Sequence, residues 1–268
     1  MTLRSLGLAV VGAAGLMALP ACKKDEAPPA PAPSTETPAP SAARPAAPVA
    51  AAPAGKGVVK GVVKFAGEAP VMADLPASLD SACEGRPAKE QSVLVKDGRL
   101  QNVLVRVKGP VAGAPPAPTT PVLVDQSKCT YLPRVQGAMP GQQVMFKNSD
   151  GTLHNVRGVV GTKPVFNVAQ PPSAAPVEKA LPADADVLKL KCDVHPWMAA
   201  FVVSNANPFF ATTGEDGAFT LTGLPAGTYT LEAWHETLGT KTAEVTVKDD
   251  APAEATFDFS AADATAKK

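Results

Sequence analysis

Excess charge of either sign is missing from this sequence: 25 basic and 25 acidic residues leave a formal net charge of +0, and no Lys/Arg cluster or basic helix stands out. A phosphate backbone needs such a patch as its electrostatic footprint, so nucleic acid is not an expected partner. Long hydrophobic runs are also scarce. The longest, Leu6 to Leu19, is too short for a comfortable bilayer span. Histidine occurs three times, never as His-Glu-x-x-His and never opening His-x-x-Glu. Peptidase chemistry built on those motifs is therefore not implied. Convincing amphipathic helices are absent as well, and strand signals dominate the chain.

The amino terminus reads as an export signal. Residues 1–22 begin with Arg4, continue through the apolar run and end in Leu19-Pro20-Ala21-Cys22. That ending resembles a bacterial lipobox, in which cleavage precedes a cysteine that becomes acylated. A lipid anchor at Cys22 would hold the protein on a membrane without a transmembrane helix. Lys23, following Cys22, points to the outer membrane, facing the periplasm or the cell surface. A plain cleaved signal with a soluble product is the alternative. Residues 23–56 are dominated by Ala and Pro, with nothing to form a packed face. They read as a disordered tether, whose reach is about 100 Å if fully extended.

The chemistry concentrates in Cys192-Asp193-Val194-His195-Pro196-Trp197-Met198, together with His154-Asn155 upstream. One thiolate and two imidazoles can form a trigonal plane, with a thioether sulfur approaching weakly along the axis. Soft sulfur favours Cu(I), while imidazole also accommodates Cu(II), so such a site can exchange single electrons. Taken singly, a buried Cys, His or Met is more often inert. Their shared spacing carries the reading, with His154, Cys192, His195 and Met198 as ligands of one type 1 copper ion. The two-residue gaps favour a turn, assisted by Pro196, and Asn155 is placed to tie the two loops together by hydrogen bonding. Zinc is the rival metal, but it rarely takes thioether. Asp193 is a poor substitute for Met198, because adjacent residues at a strand end point apart. Trp197, with Pro196, suits either an apolar docking patch or a plug over the metal.

Four cysteines are present. With Cys22 assigned to the lipid and Cys192 to the metal, Cys83 and Cys129 remain as a pair expected to form a disulfide in an oxidising compartment. Pairing Cys192 with Cys83 or Cys129 instead would abolish the metal site.

Strands are expected at Val58–Phe65, Asn102–Lys108, Gln143–Lys147 and Val187–Cys192, with Ala200–Ser204 as a return strand. Alternation puts Cys192 on one face with Leu188 and Leu190. Farther on, Phe209–Thr213 and Ala218–Leu224 read as a hairpin about Gly214–Gly217, followed by Thr228–His235, Glu244–Lys248 and Thr256–Phe259. His235, in Ala233-Trp234-His235-Glu236, is weighed as a second metal contact against a hydrogen-bonded strand end, and the second reading is preferred.

His154-Asn155-Val156 and Cys192-x-x-His195-Pro196-Trp197-Met198 resemble the copper loops of cupredoxins, most closely the amicyanin type, and Gly141 to Asp150 resembles the strand leading to the first ligand. Val194 departs from that pattern, where amicyanin-like loops carry proline. The stretch Thr213–Phe219 through Gly223–Tyr229 resembles carboxypeptidase regulatory-like (transthyretin-like) domains, with Gly61-Val62-Val63 and Asn102–Val105 similar to their opening strands.

The resemblances imply an all-β chain: a Greek-key cupredoxin β-sandwich at 119–206 and a small transthyretin-like antiparallel β-sandwich at 207–262. Residues 57–118 are expected to pair with the latter, and the copper module is either inserted into it or packed between its parts. The implied function is an exported electron carrier between a redox donor and an acceptor protein, not an enzyme, with His195 as the exposed edge for electron passage. No separate His-rich cluster exists for a second copper centre of an oxidase. Two alternatives stay open. One is a copper-binding or trafficking lipoprotein without redox turnover, using the same ligands with Met72, Met139 or Met145 as additional transfer ligands. The other is a copper-free surface binding module.

Overall fold

The computed structural model describes residues 55–266. The expected signal, Cys22 and nearly all of the tether lie outside the described residues. Within them the chain is all-β: eighteen strands, two short 3-10 turns and no α-helix.

In chain order the strands are β1 (Gly57–Ala66), β2 (Val95–Lys96), β3 (Arg99–Leu100), β4 (Leu104–Val107), β5 (Val122–Ser127), β6 (Thr130–Leu132), β7 (Val135–Ala138), β8 (Gln143–Asn148) and β9 (His154–Val160). They continue with β10 (Lys163–Gln170), β11 (Val177–Ala180), β12 (Val187–Lys191), β13 (Ala199–Ser204), β14 (Phe210–Thr212), β15 (Ala218–Leu224), β16 (Gly227–His235), β17 (Gly239–Val247) and β18 (Ala253–Ser260).

Strands β5 to β13 make a central sandwich of two sheets, ordered β10-β9-β12-β13-β7 and β11-β8-β5-β6. Period-two burial builds it. Val144 and Phe146 of β8 point inward with Leu188 and Leu190 of β12, forming one cluster with Val124, Val156 and Val202. In the middle of β9, Gly158 lets the Phe166 ring of β10 lie across the backbone. A Cβ there would meet that ring at 2.4 Å.

The remaining strands make a second sandwich that is split in sequence. One of its sheets runs β15-β1-β3-β2, with β18 parallel to β1 on the other side, and the second runs β14-β4-β16-β17. Val59, Val63, Val105, Leu221, Leu231, Phe257 and Phe259 share its core. Because β4 pairs directly with β14, through Val105 opposite Ala211, the whole central sandwich is an insertion between these two neighbouring strands. Residues 57–107 thus pair with the carboxy-terminal strands.

One expectation fails. Phe209–Thr213 and Ala218–Leu224 do not form a hairpin: β14 pairs with β4, and β15 pairs with β1 in the opposite sheet. The Gly214–Gly217 turn carries the chain from one layer to the other, with Gly217 at φ +64.

A third, small core joins the sandwiches. Leu104 and Trp234 of the split sandwich pack on Val135, Phe201 and Val203 of the central one. Polar contacts close the rim of this junction. Arg106 reaches Glu232 at 2.5 Å, the Ser204 carbonyl at 2.6 Å and Asp186 at 3.2 Å, while Arg134 pairs with Glu236 at 2.5 Å.

Candidate metal centre

Three loops at one end of the central sandwich meet. The first follows β12, whose inward alternation ends at Cys192, 2% exposed. The chain then turns tightly, with His195 N–H directed at the Cys192 Sγ (3.4 Å) and Met198 N–H donating to the His195 carbonyl (2.9 Å). The second loop follows β8. Asn148 opens it by accepting from Asp150 N–H at 3.0 Å, and it delivers His154, fully buried, as the first residue of β9.

The third is the two-residue hairpin Lys128-Cys129 between β5 and β6. Both residues have positive φ, 52° and 48°, where glycine or asparagine is usual. Asp150 compensates by accepting both backbone N–H groups, Lys128 at 2.7 Å and Cys129 at 2.8 Å. The same carboxylate touches His154, so the strained hairpin is tied to that residue.

The donor atoms converge. His154 Nδ1 and His195 Nδ1 are 2.9 Å apart, and Cys192 Sγ is 3.9 Å from His195 Nδ1. Ligand atoms of all three residues lie within 4.8 Å of one another, and all three residues are buried. Both imidazoles turn the same nitrogen inward, and both outer nitrogens face carboxylates. His154 Nε2 sits 2.9 Å from Asp150, and His195 Nε2 sits 3.7 Å from Asp80. Carboxylates behind metal-binding imidazoles fix the ring orientation and strengthen the donor. The donor set of one thiolate and two imidazoles fits copper.

Electrostatics follow from this geometry. Burial pushes the Cys192 thiol up, but the hydrogen bond with His154 and the backbone N–H groups of Asn155, His195 and Val194 outweigh it and bring the pKa below its ordinary value. Burial pulls His154 down, but Cys192 and Asp150 outweigh that and raise it. His195 is lowered, by burial first and then by His154. The opposed shifts of Cys192 and His154 reflect their mutual attraction when charged, while the shift of His195 favours its neutral form.

Asn155 joins the loops that carry His154 and Cys192. Its Oδ1 accepts from Asp193 N–H at 2.7 Å and lies 3.4 Å from Cys192 Sγ, while its Nδ2 donates to Asp193 and Asn167. The Asp193 carboxylate is thereby held, with Arg157 at 3.1 Å, among groups other than the donor atoms. Met198 is 1% exposed and shares a core cluster with Cys192 and Leu190. Pro196 is exposed, and Trp197 is half-buried beside His195 at 5.2 Å between ring centroids. The indole donates to the Cys129 carbonyl at 3.0 Å, and the Arg86 guanidinium stacks 4.4 Å from its centroid. Those fixed contacts suit a plug better than a free docking face.

Cys83 and Cys129 form a disulfide, and Cys192 is a free thiol. The pairing of Cys192 with either of them is therefore excluded. His195 requires a correction. It is 4% exposed, not an open edge, because the segment carrying Asp80 and Cys83 lies over it. His235 is a strand-end residue whose Nδ1 accepts the Thr237 and Leu238 N–H groups at 3.2 and 3.1 Å. Met72 packs on the split sandwich and Met139 sits in the β7–β8 turn, accepting there from Gln142 N–H. Sequence reasoning missed Asp150, Asp80, Thr152 and Arg86. For Asp150 a signal existed, four residues before His154 in a turn cluster. Thr152 shares that loop, and for Asp80 and Arg86 only the position of Cys83 hinted at the segment.

The family model for carboxypeptidase regulatory-like domains matches residues 199–260, the stretch from β13 to β18. Among solved structures, the chain is similar to a purple cupredoxin from Nitrosopumilus maritimus, at 21% identity and TM-score 0.27, over 31% of this chain and 98% of that one. It is similar also to amicyanin from Paracoccus versutus, at 22% identity and TM-score 0.28, over 37% of this chain and 96% of that one. No curated protein matches it.

Proposed function

We propose that the chain is an exported type 1 copper protein that carries single electrons between a donor and an acceptor redox protein. The observation that carries this reading is the inward convergence of His154 Nδ1, His195 Nδ1 and Cys192 Sγ in a buried pocket, with a carboxylate facing each outer nitrogen. Bound there, copper would supply the one-electron Cu(II)/Cu(I) couple. The chain's own residues do the rest. Asn155 fixes the spacing of the two ligand loops, Asp150 orients His154, and the surrounding apolar cluster excludes water. Met198, buried in the same cluster, would add a thioether donor. A ligand set held by so many fixed contacts needs little rearrangement between oxidation states, which suits a carrier. With His195 covered, the loop's exposed groups are Asp193, Val194 and Pro196, beside the half-buried Trp197.

The lipid anchor at Cys22, the tether and the cell-envelope location belong to the same proposal. A flexible reach suits a carrier that meets two partners. Reversible copper trafficking needs an accessible site, and the burial of all three strong donors argues against it. Voltammetry of the copper-loaded chain separates the two. A reversible one-electron wave with copper retained is expected, whereas loss of copper on each reduction would favour trafficking.

A further inference from the structure

Asp150 and Asp80 back the two histidines, but they come from different sandwiches. Asp150 lies in the β8–β9 loop of the central one. Asp80 lies on an excursion of the split sandwich between β1 and β2. Its base is closed by the Asp74–Lys89 bridge, with Leu75 N–H donating to the Ala88 carbonyl at 2.8 Å and Glu90 N–H to the Ala73 carbonyl at 2.9 Å. At its tip stands the 3-10 turn Ser81–Cys83, capped by Asp80 Oδ1, which accepts from Ala82 N–H at 2.9 Å.

Three residues at intervals of three fasten this tip to the metal loops. Asp80 Oδ2 accepts from Thr152 Oγ1 at 2.5 Å and stands 3.7 Å from His195 Nε2. Cys83 is bonded to Cys129, in the strained hairpin held by Asp150. Arg86 stacks on Trp197 and is itself braced by the carbonyls of Pro76 and Pro87. The sulfur atoms of Cys83 and Cys129 lie within 4.8 Å of a His195 ring nitrogen, so the disulfide is part of the wall of the site. A staple serving only the fold has no need to place a carboxylate behind an imidazole. Here the fixing of that carboxylate, by one side-chain and one backbone donor, orients it toward His195.

We propose that Asp80 is a positioning residue for His195, and that the Asp80–Arg86 strap, held by the Cys83–Cys129 disulfide, controls how fast the metal site opens. This rests on the copper reading above. Asp80 keeps the His195 ring turned with Nδ1 inward, and the strap must lift before that ring can swing away and release metal or expose Cys192. The split sandwich thereby acquires a task at the site built by the central one.

Two rates in the full chain test this, with Cys22→Ser so that Cys192 is the one free thiol. The first is the loss of the copper absorption band to excess chelator. The second, in the metal-free chain, is modification of Cys192 by an aromatic disulfide reagent. Both are expected to rise by about tenfold or more in Asp80→Ala and in the Cys83→Ser/Cys129→Ser double variant, with Asp80→Asn largely restoring the slow rates. Should the double variant not fold, Asp80→Ala and Arg86→Ala decide. Unchanged rates in folded variants overturn the proposal. Faster Cys192 modification in a chain that never shows a copper band would uphold the strap and refute the copper reading instead.

Discussion

His154 Nδ1 and His195 Nδ1 face each other at 2.9 Å, although the residues begin β9 and sit midway through the β12–β13 loop, on opposite sides of Cys192. Two imidazoles rarely approach so closely through the same nitrogen unless a proton is shared or a cation belongs with them. At least one nitrogen must carry a proton when no metal is bound, which agrees with a raised His154 and a lowered His195.

Asn155 should matter to the metal more than to the fold. Asn155→Ala removes the acceptor of Asp193 N–H, which also lies 3.4 Å from Cys192 Sγ and ties its loop to that of His154. Copper affinity is expected to fall about 10–100-fold, measured by competition with a chelator of known affinity. Unchanged affinity would leave Asn155 as a simple loop tie.

The disulfide should matter to stability. Replacing Cys83 and Cys129 by Ser is expected to cost about 2–5 kcal/mol, read from urea unfolding of the metal-free chain. The copper band should persist, since neither cysteine belongs to the ligand set.

Leu190 lies two residues before Cys192 on the same inward face and is fully buried. Leu190→Ala is expected to cost about 2–5 kcal/mol through the cavity it leaves. Thermal unfolding checks this, and a loss well under 1 kcal/mol would show that the core collapses around the gap.

In the metal-free chain the Cys192 thiolate should form at lower pH than in a free cysteine. Burial opposes this, but His154 and three backbone N–H groups prevail. Because the folded pKa is the lower one, the resulting stability is present above the unfolded cysteine pKa and is lost as pH falls through the folded pKa. Ultraviolet thiolate absorbance against pH, with Cys192→Ser as blank, measures it. Titration at or above the ordinary cysteine value would contradict the pairing.

The site's inner donors were legible because their signals are local. Cys192 shares a strand face with Leu188 and Leu190, and the two-residue gaps favour a turn. What escaped depends on pairing between distant segments. The Gly214–Gly217 turn is visible in the sequence, but nothing local says that β14 and β15 will join different sheets. Likewise the parallel partnership of β1 with β18 spans nearly the whole folded chain. Residues 67–93 lack alternation, so the strap over His195 had no pattern to announce it beyond Cys83. The exposed edge expected of His195 was lost to a segment from outside the central sandwich.

The most direct test of the copper assignment is the visible absorption spectrum of the chain after addition of Cu(II), beside that of Cys192→Ser. An intense thiolate-to-copper band that disappears in the variant is the result the geometry of His154, Cys192 and His195 predicts. A spectrum without that band, from folded protein whose Cys192 titrates as a free thiol, would contradict it.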